Sequence, residues 1–200
     1  NHRADMHKLE IRLAQNYGLN GQCRDFNVSK DCQTDSEPTI LVWGDSYAQH
    51  IVTGILNSDS PVHLKQMTRP GCASLLGVAF SSKQAKRTEQ NMQDCVAFNQ
   101  KVIEWLAAQQ NIKYVVLASA MSGFFSPSSA LLGKADSRDA YVKAALERTL
   151  GEIRRLGKVP VIIAQPPSNG QDLGKCLARQ QLLNSGVSCD FPESAMTTEI

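Results

Sequence analysis

The sequence lacks a long apolar run, a run of basic residues and a signal peptide. Its longest nearly apolar stretch, 114–121, is far shorter than the roughly 20 residues that a helix needs to cross a bilayer. Lys and Arg (21) nearly balance Asp and Glu (19), and basic residues are not interleaved with aromatic ones. These absences argue against a membrane span within the chain and against nucleic acid as a partner. Because the chain begins at Asn1 without a Met, we expect it to be a piece of a longer protein, with any targeting element outside it.

No pair of cysteines has the C-x-x-C spacing of a zinc site, and nothing else in the sequence indicates a metal or another cofactor. The six cysteines can instead be grouped as three pairs of sequence neighbours: Cys23–Cys32, Cys72–Cys95 and Cys176–Cys189. Six cysteines allow many other pairings, and six free thiols in a cytosolic protein are the alternative. The loop-rich surroundings of these residues favour disulfides, and hence an extracytoplasmic compartment.

The order of apolar and polar segments predicts one α/β domain behind a short N-terminal region. A helix is predicted at 3–17, followed by a polar loop that contains two cysteines, so that 1–38 forms an N-terminal helix and a disulfide-stapled linker. The domain itself is predicted to span 39–200. Its strands are predicted at 39–43, 62–67, 113–120 and 158–164, and its helices at 47–56, 88–110, 136–156 (capped by Asp136) and 171–184. Strands that alternate with helices indicate a parallel sheet in a three-layer α/β/α arrangement.

The tripeptide Gly44-Asp45-Ser46 follows the first predicted strand and precedes a helix. This position puts the Ser46 hydroxyl at the carboxyl edge of a parallel sheet, where ligands bind in open α/β folds. The helix N-terminus also directs backbone N–H groups to the same place, which suits the anion formed in acyl transfer. Gly44 would allow the tight turn, and Asp45 would accept hydrogen bonds from its backbone. The alternative is that Ser46 serves only in helix capping, for which Ser and Asp are common.

Three segments carry a resemblance to a known family. Residues 40–50 (Ile-Leu-Val-Trp-Gly-Asp-Ser-Tyr-Ala-Gln-His) resemble block I of the SGNH (GDSL-like) hydrolase superfamily. More narrowly, they are similar to the SGNH domains fused to the C-terminal side of family-three membrane acyltransferases in bacteria. Residues 68–72 resemble the Gly-containing block II turn of that family. Residues 95–99 resemble the segment at the start of its long helix, which contains a cysteine. Tyr47 stands where the family usually has histidine.

The resemblance implies a flavodoxin-like SGNH hydrolase fold and assigns roles to individual residues. Ser46 would be the nucleophile, and the backbone N–H groups of Ser46 and Gly71 would form two parts of the oxyanion hole. Many SGNH enzymes add an Asn after the third strand, but residues 118–122 contain none. Ser119 or Ser122 could donate in its place, although serines at such positions are commonly turn formers.

The proton acceptor that the resemblance requires has no counterpart in the chain. SGNH proteins supply it as a histidine in Asp-x-x-His, a pattern that is absent from this sequence, and the four histidines are His2, His7, His50 and His63. Only four of the usual five strands are predicted as well, so we expect the last strand and the histidine to follow Ile200. His50, four residues after Ser46, is a less favourable alternative base.

These features predict an extracytoplasmic domain of a bacterial O-acyltransferase. Ser46 would receive an acyl group, acetyl by the resemblance, and pass it to a hydroxyl of a cell-surface glycan such as lipopolysaccharide. The resemblance implies an acyl donor handed over by an integral-membrane acyltransferase domain, and a periplasmic location tethered to the inner membrane by segments outside this chain. The alternatives are a periplasmic or secreted carbohydrate esterase and a catalytically silent SGNH-like module that binds glycans.

Overall fold

A computed structural model describes residues 7, 14–82, 88–126, 129–133, 137–166, 169, 171–183, 186 and 188–192. The chain forms two compact units, of which Asn16–Gln165 is one, and Asn1–Gln15 with Pro166–Glu199 is the other. The predicted division at residue 38 stays a prediction. Most of the helix predicted at 3–17 lies outside the described residues, and residues 14–17 are not helical.

Strands and helices alternate through the chain. The strands are β1 (Ile40–Gly44), β2 (Leu64–Thr68), β3 (Phe80–Ser82), β4 (Tyr114–Ala118), β5 (Ser129–Leu131) and β6 (Val159–Ile163). The helices are α1 (Ser46–Leu56), α2 (Glu89–Ala107), α3 (Ser122–Phe125), α4 (Arg138–Arg155) and α5 (Leu173–Leu183), with a single 3₁₀ turn at Lys30–Cys32. All elements but α5 lie in the larger unit.

Four strands form one parallel sheet in the order β2-β1-β4-β6. The last residue of β1, Gly44, pairs with Thr68 of β2 and Ala118 of β4. The carboxyl ends of these strands are therefore level, and the loops that follow them leave from the same edge.

The two faces of the sheet pack against different helices, as alternation along a strand requires. On one face, Leu41 and Trp43 of β1 belong to a core that includes Phe98 of α2 and Ile153 of α4. On the other face, Val42 packs with residues of α1. The predicted α/β fold, with helices on both sides of a parallel sheet, is confirmed.

Two short strands and one short helix differ from the predicted elements. Strands β3 and β5 pair antiparallel through three residues each, and α3 has four residues. Segments this short contain too few residues to show a periodic hydrophobic pattern. At the start of α4, Ser137 accepts a capping hydrogen bond from the backbone N–H of Ala140, and the predicted cap, Asp136, lies outside the described residues.

The outer edge of β2 is covered by the segment that carries the Cys23–Cys32 disulfide. Thr34 exchanges hydrogen bonds with the backbone of Leu64, and Gln33 forms an antiparallel bridge with Lys65. The Lys65 ammonium donates to the carbonyl oxygen of Ser29 at 2.7 Å. All five residues of β2 are consequently buried although β2 is an edge strand.

Burial lowers the pKa of Lys65 from its ordinary 10.5 to about 8. The unfolded chain therefore binds the proton of the Lys65 ammonium more tightly than the folded protein does. For this reason the stability should rise as the pH increases between these two pKa values. From about pH 7.5 to about pH 9.5 we expect the free energy of unfolding to gain about 2 kcal/mol from Lys65. Urea denaturation of wild type and Lys65→Met at both pH values measures this gain as the difference between the two proteins. Equal pH dependence in the two proteins would contradict it.

Candidate functional site

The Gly-Asp-Ser turn joins the central strand β1 to α1, at the carboxyl edge of the sheet. Gly44 passes so close to β4 that a Cβ atom in its place would lie 1.9 Å from the carbonyl oxygen of Ala118. Asp45 then caps α1, and its Oδ1 accepts a hydrogen bond from the backbone N–H of Tyr47 at 2.9 Å. A residue without a side chain followed by a capping residue allows the chain to turn directly from strand into helix.

The Asp45 carboxylate is buried and holds two parts of the site together. Its exposed fraction is 1%, and its Oδ2 accepts a hydrogen bond at 2.8 Å from the backbone N–H of Ala120, in the loop after β4. One carboxylate thus bonds both the first turn of α1 and the end of β4. Burial and, secondly, the charge of Asp45 raise the pKa of the adjacent Tyr47 phenol, which keeps that hydroxyl protonated.

Ser46 is the first residue of α1 and is half-buried. Within the described part of the chain, the Ser46 hydroxyl makes no hydrogen bond. It lies at a helix N-terminus, where backbone N–H groups without a helical partner favour negative charge.

The turn after β2 is bonded to the Gly-Asp-Ser turn. The backbone N–H of Arg69 donates to the carbonyl oxygen of Gly44 at 3.0 Å, and the N–H of Cys72 donates to the carbonyl oxygen of Arg69 at 2.9 Å. Pro70 and Gly71 occupy the two central positions, and Gly71 has φ 66°, which is the geometry of a turn that requires glycine at its third residue. The disulfide between Cys72 and Cys95 then fixes this turn to α2.

Asn99 supports the loop after this turn, a role that the sequence did not reveal. It is fully buried, and its Nδ2 donates to the carbonyl oxygens of Ala73 (2.8 Å) and Leu75 (2.9 Å). Its Oδ1 accepts from the indole N–H of Trp43 at 2.9 Å. A buried amide with every bond satisfied fixes its neighbours in one arrangement. The only available signal was a polar residue on the apolar face of a predicted helix.

Gln49, one turn after Ser46, links α1 to β2. Its Nε2 donates to Thr68 Oγ1 at 3.3 Å, and Thr68 Oγ1 donates to the carbonyl oxygen of Cys23 at 2.8 Å. Gln49 is fully buried, and its Oε1 has no hydrogen-bond partner among the described residues. The α1 helix is therefore connected through β2 to the disulfide-stapled segment.

The serines after β4 are held in the surrounding structure. Ser119 is buried, and its Oγ accepts from the backbone N–H of Ser74 at 3.1 Å and lies 3.3 Å from Ser74 Oγ. Ser122 begins α3, and its backbone N–H donates to Gln165 Oε1 at 3.4 Å. The Ser119 hydroxyl therefore joins the loops after β2 and β4.

No described histidine is bonded to Ser46. His50 is exposed on α1 and makes no hydrogen bond to a described residue. His63 precedes β2 and so lies at the amino ends of the strands. The carboxyl ends, where Ser46 lies, are about 16 Å away along the five residues of β2. The Nδ1 of His63 pairs with Asp35, and this bond, with the backbone N–H of Glu37, lowers the pKa of the Asp35 carboxyl. His2 lies outside the described residues, and His7 belongs to the smaller unit.

The structure forms the three predicted disulfides, and it leaves no free cysteine among the described residues. Disulfides of this number are typical of proteins from oxidising compartments. In the same described ranges, no three His, Cys, Asp or Glu side chains are grouped as metal ligands would be. None of the helices there combines the length and the apolar character that a membrane span requires.

Comparison with known proteins identifies the family. A family model described as "SGNH domain (fused to AT3 domains)" matches residues 17–199. No curated protein and no solved structure gave a significant match. The family match covers most of the chain and agrees with the parallel sheet and its Gly-Asp-Ser turn. The chain therefore belongs to the family of SGNH domains that are fused to AT3 domains.

Proposed function

We propose that the chain is the extracytoplasmic acyl-transfer domain of a bacterial O-acyltransferase, with Ser46 as its nucleophile. The observation that carries the proposal is the position of Ser46, a half-buried residue at the N-terminus of α1 and at the carboxyl end of the central strand. This edge of an open parallel sheet is where ligands bind in α/β folds. Membership of a family fused to AT3 domains supports an acyl donor delivered by an integral-membrane acyltransferase domain.

In the first half of the reaction, Ser46 Oγ attacks the carbonyl carbon of the acyl group while its proton passes to a general base. The resulting oxyanion accepts hydrogen bonds from the backbone N–H groups of Ser46 and Gly71, and the donor's leaving group departs with a proton. In the second half, a glycan hydroxyl attacks the Ser46 ester and loses its proton to the base, and Oγ is protonated again as it leaves. Water in place of the glycan would give hydrolysis by the same groups.

The general base that accepts the Ser46 proton is expected to lie outside the described residues. His50 is exposed without a described partner, and His63 lies at the other end of the sheet. The base is expected to be a histidine of an Asp-x-x-His sequence that follows Ile200. This histidine would act as the acceptor for the Ser46 proton, oriented by its aspartate.

A fluorophosphonate probe, which modifies activated serines, tests the nucleophile. A polypeptide that continues past Ile200 should be labelled, and Ser46→Ala should abolish the labelling because it removes the attacking oxygen. Ser36→Ala is the matched control, since Ser36 is an exposed serine without a described hydrogen bond. Mass spectrometry of the labelled peptide identifies the site.

Absence of labelling in the longer polypeptide would exclude an active nucleophile and favour a module that only binds glycans. The chain ending at Ile200 should turn over p-nitrophenyl acetate slowly or not at all, because it lacks the proposed base. Fast turnover that depends on Ser46 would show that the base lies within the chain.

A further inference from the structure

Three cavities of the larger unit meet at Arg69, next to the Gly71 turn. One of about 370 Å³ is lined by Asp25, Phe26, Arg69, Asp94, Ala97 and Lys101, among others. A second, of about 200 Å³, lies against Arg69, Pro70 and Cys72. The third, of about 480 Å³, is bordered by Arg24, Asp25 and Arg69. We call the first of these the Arg69 groove. Its volume lies in the range of small-ligand sites.

The guanidinium of Arg69 keeps part of its hydrogen-bonding capacity unused. Its Nη1 donates to both oxygens of Asp25 at 3.0 Å, while its Nη2 is 3.6 Å from Asp94 Oδ2, which is a charge contact and not a hydrogen bond. The Nε–H and Nη2–H groups donate to no described residue, and 26% of the side chain is exposed. Two ion pairs thus hold a planar donor group in place, with N–H groups left for a ligand.

The positive and negative side chains that line the groove are equal in number, and this balance favours an uncharged ligand. Arg69 and Lys101 face Asp25 and Asp94, so the lining carries two positive and two negative groups. A balanced set offers both donors and acceptors, as sugar hydroxyls need, and gives no net attraction for a phosphate or a carboxylate. The half-buried ring of Phe26 and the exposed methyl group of Ala97 supply an apolar wall for the C–H face of a sugar ring.

The backbone connects the wall of this groove to the Gly-Asp-Ser turn. Arg69 is bonded through its N–H to Gly44, two residues before Ser46, and is followed at once by Pro70 and Gly71. The cavity of about 200 Å³ extends the lining from Arg69 over Pro70 to Cys72. A ligand in the groove would therefore contact Arg69, the residue whose backbone is bonded to the Gly-Asp-Ser turn.

We propose that the Arg69 groove binds an uncharged pyranose of the acceptor glycan, and that Arg69 and Asp25 bind its hydroxyl groups. The acceptor role rests on the proposed function, whereas the binding of the sugar does not require acyl transfer. The groove would hold the glycan while a neighbouring hydroxyl reaches the Ser46 ester.

The test is saturation-transfer NMR on the whole chain with the methyl glycosides of glucose, galactose and mannose, each at tens of millimolar, with sodium phosphate added as a competitor in a parallel sample. At least one glycoside should bind. Its affinity should fall at least about tenfold in Arg69→Lys, which keeps the charge but loses the planar fork of donors. Ala97→Trp should give the same loss by filling the groove from α2, while Arg69, Asp25 and Asp94 keep their own side chains. Arg154→Gln, at an exposed arginine of α4, should bind as wild type does.

Binding of no glycoside, binding that persists in both groove variants, or displacement of the glycoside by an equal concentration of phosphate would each overturn the inference. If Arg69→Lys fails to fold, as its melting curve would reveal, Ala97→Trp decides the question. Fluorophosphonate labelling of the polypeptide that continues past Ile200 separates this inference from the proposed function. Labelling of Ser46 without sugar binding refutes the groove, whereas sugar binding in the groove without labelling refutes the acyl transfer.

Discussion

Gly44→Ala is expected to lower the free energy of unfolding by more than about 4 kcal/mol, or to prevent folding. The added methyl group would lie 1.9 Å from the carbonyl oxygen of Ala118, which belongs to the backbone of the neighbouring strand and cannot rotate away. Relief requires β1 and β4 to separate at their paired ends, in the middle of the sheet. Urea denaturation followed by circular dichroism measures the change.

Gly54→Ala is the matched control, because Gly54 lies within α1 and a Cβ atom there would meet nothing within 4 Å. Alanine is the better helix former, so this variant should gain up to about 1 kcal/mol. A Gly44→Ala protein as stable as wild type would show that β1 and β4 do not approach each other as described.

Asp45→Asn is expected to cost about 2–4 kcal/mol of stability and to abolish most labelling of Ser46. Both carboxylate oxygens of Asp45 accept backbone N–H groups, at 2.9 Å from Tyr47 and 2.8 Å from Ala120. An asparagine of the same shape presents its NH₂ group to one of these donors, and this contact becomes repulsive in a buried place. The first turn of α1 and the loop after β4 then lose their common partner.

The comparison is with Asp139→Asn, which removes an exposed carboxylate from the first turn of α4. It should change stability by less than about 1 kcal/mol and leave the labelling of Ser46 as it is. Labelling of Asp45→Asn at the wild-type rate would mean that Asp45 stabilises the fold without positioning Ser46.

The central part of the sheet could be predicted because its signals are local. The apolar segments at 39–43 and 113–120 are long enough to indicate buried strands, and the Gly-Asp-Ser turn between strand and helix fixes the edge of the sheet where Ser46 lies. The disulfide pairs of sequence neighbours are also confirmed.

What the sequence could not show depends on contacts between distant residues. The groove combines Asp25 with Arg69 and Asp94, which are brought together only when the stapled segment, the turn after β2 and α2 meet. The hydroxyl of Ser119, which the sequence offered as a possible donor, accepts a hydrogen bond from the backbone N–H of Ser74, 45 residues earlier, and its role as a donor stays a prediction. The base of Ser46 stays a prediction.

The two edge strands of the sheet, β2 and β6, differ in whether a further strand can pair with them. At β2, the stapled segment covers the outer side: Thr34 is bonded to the backbone of Leu64, Gln33 forms a bridge with Lys65 and all five residues of the strand are buried, so a further strand has no access there. At β6, Val159 and Ile162 are about half exposed (51% and 50%), and no strand of the described residues pairs with its outer side. Any strand that extends this sheet, from the same polypeptide or from another one, must therefore join at β6, and extension is possible in one direction only.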